Sequence, residues 1–137
     1  MKIRKLKSDD ESQLLKLFAE LTTSPINLNI QEVINDKNCH AIVLENKIGE
    51  IVGFAALTTF IVPTKGRVGK IEDVIIRETF RGKGLGSKLL DKLIEIAKEK
   101  GIVNITLTSN PSRIIARNLY QKKGFILLET GVFLLKL

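Results

Sequence analysis

The run Ile71-Glu72-Asp73-Val74-Ile75-Ile76, a short connector, and then Arg81-Gly82-Lys83-Gly84-Leu85-Gly86 carries the decisive pattern of the chain. The first six residues read as the end of a strand, Val68 to Ile76, and the glycine-rich stretch opens onto the clearest helix in the sequence. From Gly84 to Lys100, Leu85, Leu89, Leu93 and Ile96 form one stripe, with Leu90, Ile94 and Ala97 beside it. Lys88, Asp91, Lys92, Glu95, Lys98 and Glu99 fall on the opposite face, and Gly101 terminates the helix. Strand, loop and helix in that order make an anion site. Glycine lets backbone approach a ligand closely, and unpaired N–H groups with the helix dipole favour negative charge there. The spacing excludes two phosphate binders. A P-loop needs four residues before its Gly-Lys-Ser/Thr end, and Gly82, Gly84 and Gly86 alternate in a way the dinucleotide fingerprint does not.

Upstream, Lys2 to Leu6 alternates charged and apolar residues and predicts a half-buried strand. Asp9 to about Leu21 predicts a helix with Leu14, Leu15, Leu17, Phe18 and Leu21 on one apolar face, and Asn29 to Asp36 a second, shorter one after Pro25. His40–Glu45 and Glu50–Ile61 predict a hairpin turning at Asn46–Gly49. Downstream, Asn104–Thr108 predicts a strand, the segment opening at Ser109-Asn110-Pro111-Ser112 a helix to Lys123, and Phe125–Glu129 and Val132–Leu137 two closing strands. The order βααβββαβαββ fits 137 residues as a single domain, 1–137.

The composition narrows the function classes. Hydrophobic residues at 44% and charged residues at 27% describe a folded globular protein. No apolar run reaches the length of a membrane span, and the charged, alternating start is unlike a signal sequence, so a cytoplasmic setting with no membrane partner is expected. A lone Cys39 rules out an intrachain disulfide and a thiolate metal cluster, and no metal is expected. Cys39 and His40 are neighbours on a predicted strand, so their side chains point to opposite faces and form no dyad. The net charge of +7 calls for an anionic partner, but aromatics at 5% and no Trp speak against a nucleic-acid reader. A polyphosphate cofactor satisfies the charge.

On Arg81, Gly84 and Gly86, the loop resembles the Gln/Arg-x-x-Gly-x-Gly/Ala signature of the GNAT superfamily of N-acetyltransferases. The segment from Asn110 through Tyr120 to Gly124-Phe125 is similar to that family's second signature. The resemblance covers nearly the whole chain. It implies an α/β (α+β) GNAT fold: a central mixed, mostly antiparallel twisted sheet of about seven strands, about four flanking helices, and a splayed strand pair holding acyl-CoA. It implies acetyl-CoA as co-substrate and a primary amine attacking it directly in a ternary complex. By the same resemblance Val74, Ile75 and Ile76 pair with the pantetheine arm, while Gly82, Lys83, Gly84, Leu85, Gly86 and Ser87 face the pyrophosphate. Arg81 adds charge, Asn110 bonds the arm, and Arg113 joins the cofactor set. Tyr120 is the general acid toward the departing thiolate, and Glu72 or Asp73 accepts the amine's proton. Regular alternation would allow only one of those two carboxylates to enter the cleft, a limit that a bulge relaxes.

The short run Ile71-Glu72-Asp73-Val74 is also similar to glucosamine-6-phosphate N-acetyltransferases. The acceptor is expected to be a small amine, with a protein N-terminus or lysine as the alternative. Lys65, Arg67 and Lys70 hint at an anionic one. A non-catalytic acyl-CoA-binding module on the same fold is the other class of reading. The apolar end Val132–Leu135 reads as core or as a strand pairing with a neighbouring subunit in a homodimer.

Overall fold

Strand pairing, rather than helix packing, organises most of the chain. The computed structural model describes residues 1–137. The chain divides into two compact units, Met1–Leu107 and Thr108–Leu137. In the first, β1 (Lys2–Lys5) is followed by a 3₁₀ turn at Ser8–Asp10, α1 (Glu11–Phe18) and α2 (Ile30–Asn35). Then come β2 (Cys39–Glu45), β3 (Ile51–Val62), β4 (Gly66–Ile76), a second 3₁₀ turn at Glu78–Phe80, α3 (Leu85–Glu99) and β5 (Ile105–Thr106). The sheet order is β1-β2-β3-β4-β5. The first three pairings are antiparallel and β4–β5 is parallel, the crossover being α3. A mixed, mostly antiparallel sheet with four helices is therefore present.

The two faces of the sheet carry separate cores. Leu14, Leu17 and Phe18 of α1 and Ile30 of α2 pack on Ala41, Val43, Phe54, Ala56 and Ile75, with Phe18 edge-on to Phe54 at 5.1 Å between ring centroids. On the other face α3 inserts Leu89, Leu90 and Leu93, all fully buried. Its approach depends on Gly53. A Cβ there would lie 2.8 Å from Ile76 Cδ1 and 3.3 Å from Leu89 Cδ1, so the missing side chain lets helix and sheet close up.

The N-terminal turn is tied down by charge. Arg4 donates from Nη1 and Nη2 to Asp10 at 2.8 and 2.9 Å and from Nε to Glu45 at 2.6 Å, and Asp10 also accepts from the Lys7 amide at 2.8 Å. The Arg4 guanidinium holds the nearly buried Asp10 carboxyl below its ordinary range. This role displaces the helix start expected at Asp9. With Asp10 bound to β1, the residues before Glu11 form a 3₁₀ turn.

In the second unit α4 (Ile114–Lys122) is the one regular element. The sheet has five strands instead of about seven, because Phe125–Glu129 and Val132–Leu137 form neither helix nor strand. Their composition suits β-structure, but strands are defined by pairing and no strand pairs with them.

Candidate functional site

β4 is where the regular pattern breaks. Its register with β3 runs Leu57↔Ile71 and Ala56↔Glu72, then resumes at Phe54↔Ile75 and Gly53↔Ile76, so an extra β4 residue is accommodated between them. Asp73 takes the left-handed conformation there, with φ 55°, the one non-glycine residue of the chain with positive φ. The bulge reverses the strand's phase. Ile71 shares a face with Leu57 on the α3 side, whereas Ile75 shares a face with Phe54 in the α1 core. Glu72 pairs with Ala56 and so lies on the α1 side, with Lys70 Nζ 3.0 Å from its Oε1.

Asp73 is crowded by protein although open to solvent. Desolvation, and then the neighbouring Glu72 charge, raises its carboxyl above the ordinary range. Its own charge reaches Cys39, which packs against the α1–α2 core. Burial, and then the charges of Lys100 and Lys5, lower the pKa of His40, while Asp36 acts on both His40 and Cys39.

The outer edge of β4 is only partly used. β5 pairs with Gly69 and Lys70 and goes no further. From Ile71 to Ile76 the backbone groups that point away from β3 receive no strand, so Val74, Ile75 and Ile76 present an edge to which an extended amide-bearing chain can add. Past this edge Arg77 anchors the strand's exit, donating its amide to Val52 O at 2.8 Å and Nη2 to Ile51 O at 3.0 Å, with Glu50 3.3 Å from Nη1.

The loop follows directly. Arg81 folds back and donates Nε to Ile76 O at 2.8 Å, so its position at the end of β4 is set by a main-chain bond. Lys83 Nζ sits 5.4 Å from the Phe80 ring centroid, a cation–π contact that parks an ammonium beside the loop. Gly82 and Gly84 have φ 77° and 76°, and no heavy atom lies within 4 Å of a Cβ built on either. Glycine is needed here for conformation, and the space beside the loop is open. Gly84 is the N-cap of α3. The first-turn amides of Leu85, Gly86 and Ser87 have no helical acceptor, and the first turn holds no carboxylate to compete for them.

Within the second unit, Asn110 shapes the entry to α4. Its Oδ1 accepts from the Ser112 amide at 2.9 Å and hydroxyl at 2.8 Å, and its carbonyl accepts from the Arg113 amide at 3.0 Å. Arg113 is the N-cap and is exposed. Tyr120, 7% exposed, packs edge-on to Phe125 at 6.1 Å, and the chain turns between them through Gly124 at φ 98°. Burial raises the phenol's pKa, and Arg113 opposes part of that rise.

The first unit therefore gathers Glu72, Asp73, Val74–Ile76 and the whole glycine loop on one continuous strand–loop–helix. The second holds Asn110, Arg113 and Tyr120 on α4 and its approach. Phe80 and Arg77 were not singled out in the sequence. An aromatic three residues before a loop lysine was the available signal for the first, and nothing local signalled the second.

Comparison with known proteins agrees with this geometry. The Acetyltransferase (GNAT) family model matches residues 4–125. A glucosamine 6-phosphate N-acetyltransferase of Trypanosoma brucei brucei is 32% identical over 133 residues, spanning 91% of this chain and 88% of the relative. A putative [ribosomal protein bS18]-alanine N-acetyltransferase of Bacillus subtilis is 27% identical over 124 residues, 89% of this chain and 78% of the relative. The crystal structure of a Trypanosoma brucei acetyltransferase superposes with a TM-score of 0.84 at 32% identity, covering 97% of each chain. A family match over most of the chain, joined to the bulged strand and glycine loop, leads to one conclusion: this protein belongs to the acetyltransferase (GNAT) family and is an N-acetyltransferase.

Proposed function

We propose that the protein transfers an acetyl group from acetyl-CoA to the primary amine of a small phosphorylated amino sugar, by direct attack in a ternary complex. The observation that carries this reading is the unpaired edge of β4 running straight into an acid-free helix N-terminus. An acyl-CoA has matching parts in the same order. Its pantetheine amides suit the edge of Val74–Ile76, and its pyrophosphate suits the amides from Gly82 to Ser87 with Lys83 alongside. Arg81, held at Ile76 O, adds charge at the junction. The match to the family's second signature supports a role for Asn110 toward the arm, its side-chain N–H₂ being the group left to donate since Oδ1 is engaged in its own turn, and for Arg113 toward the same anionic ligand.

Glu72 and Asp73 receive the acceptor. The bulge frees the adjacent carboxylates from strict alternation, so both serve one amine: Glu72 binds the ammonium, and Asp73, with its raised pKa, takes up the proton. Tyr120 supplies the proton to the departing thiolate. A phenol is protonated at neutral pH at its ordinary pKa of about 10, and burial moves it further from ionisation. The phosphorylated acceptor is favoured by the Trypanosoma relative and by Lys65, Arg67 and Lys70 on and beside β4. A protein N-terminus is the second reading, favoured by the Bacillus relative.

Calorimetric titration with acetyl-CoA, followed by thiol release over an amine panel, tests this. Wild type binds in the micromolar range and Gly84→Val loses at least tenfold, since a β-branched residue is forced into left-handed backbone at roughly 1–2 kcal/mol and blocks the loop. Glucosamine 6-phosphate outpaces glucosamine and alanine-initiated peptides. Equal turnover of the two sugars removes the phosphate reading, and absence of acetyl-CoA binding removes the whole.

A further inference from the structure

The turn that joins β4 to the glycine loop is held from outside itself. Glu78–Phe80 closes with the Phe80 amide on Arg77 O at 2.8 Å and the Arg81 amide on Glu78 O at 3.3 Å. The first amide of such a turn has no acceptor within it, and Arg77 at the N-cap carries a guanidinium, which only donates. The acceptor for the Glu78 amide comes from 58 residues away in sequence: Oε1 of Glu20, at 2.8 Å.

The end of α1 gives Glu20 no local reason to be acidic. It lies just beyond Phe18 and Ala19, where the helix dipole presents its negative end and disfavours a carboxylate. Glu20 and Glu78 are both exposed, so their bond serves no core packing. What it holds is the entry to the loop. Phe80, at the end of the turn, makes the cation–π contact with Lys83 Nζ at 5.4 Å, and the next residue, Arg81, donates Nε to Ile76 O at 2.8 Å. On the other side Arg77 binds Val52 O and Ile51 O of β3. The turn is thus clamped between β3 and the end of α1, and the two cations beside the loop leave it in a set direction.

We propose that Glu20 is a positioning residue for acetyl-CoA: by capping the Glu78–Phe80 turn across the fold it fixes Phe80 and Arg81, and through them Lys83 and the glycine loop, for the pyrophosphate. This role rests on the reading of that loop as the acetyl-CoA site. Glu20 acts through the turn, and its carboxylate is suited to it, since an ionised acceptor makes the stronger bond to a main-chain N–H.

Calorimetric titration with acetyl-CoA and thiol-release kinetics on Glu20→Ala and Glu20→Gln test the proposal, with urea denaturation and amide exchange of the unliganded chains alongside. Glu20→Ala should raise Kd and KM for acetyl-CoA about tenfold, the order of one hydrogen bond to a charged group, and leave kcat at saturation within about twofold. Glu20→Gln keeps an oxygen in the same place and should stay within about threefold of wild type. Exchange of the Glu78 amide should accelerate in Glu20→Ala and hold in Glu20→Gln. Unchanged acetyl-CoA affinity in Glu20→Ala overturns the proposal, and a lowered urea midpoint beside it would leave Glu20 a surface stabiliser. A loss of kcat at unchanged KM, or an equal loss of affinity in both variants, overturns it as well. A wild type that binds no acetyl-CoA removes the reading of the loop itself, whereas wild-type binding matched by Glu20→Ala removes the role of Glu20 alone.

Discussion

Tyr120 is a buried phenol, and burial disfavours the charged form of any such group. It is buried to 7% exposure beside Phe125, and burial moves its phenol further from ionisation. In the proposed reaction the phenol, protonated at neutral pH at its ordinary pKa of about 10, gives its proton to the thiolate. Tyr120→Phe should retain acetyl-CoA affinity and lower kcat by on the order of 10²-fold, the usual value of a positioned proton donor. Stopped-time thiol release beside a binding titration separates the two effects, and an unchanged kcat would assign the ring to packing alone. The tyrosine was legible in the sequence because its neighbours form a motif. The state of Asp73 was only half legible. The acidic pair stands out in the sequence, but an extra residue becomes visible only as a jump in pairing register, which depends on the partner strand.

At the scale of elements, α3 and the glycine loop were read almost to the residue, since an amphipathic stripe with a glycine at each end depends on local chemistry alone. The first helix was read too long at both ends. Its true start is set by Arg4, six residues before Asp10, through a bond between strand and turn that no periodicity reveals. The Arg4–Asp10–Glu45 cluster staples β1 to the turn and to β2. Arg4→Ala leaves the Asp10 carboxylate buried without its partner and should cost on the order of 3 kcal/mol in urea denaturation near neutral pH. The penalty has a definite pH course. Folded Asp10 protonates below its ordinary value of 3.8, so between the two values the unfolded chain binds more protons. The stabilisation is complete above about pH 4 and is lost as pH falls through the lowered pKa, where wild type and variant should converge. A constant gap at every pH would place the cost elsewhere. The closing strands were misread for the opposite reason: their composition is right, but strand formation waits on an edge to pair with.

For the molecule as a whole, the net charge of +7 bears on encounter more than on stability. With an anionic co-substrate, kcat/KM for acetyl-CoA should fall several-fold as salt rises from about 10 mM to about 150 mM, while kcat stays level, because the Debye length shrinks from roughly 30 Å to 8 Å. A flat profile would confine the electrostatics to the loop. The bulge at Asp73 reaches the whole molecule in another way. Because β4 changes phase there, Ile71 serves the core under α3 and Ile75 the core under α1, and only the present number of residues between them satisfies both. Deleting one residue would turn half the strand inside out. The length of this one strand is therefore held more tightly than the side chains exposed along it, because two cores on opposite faces depend on it.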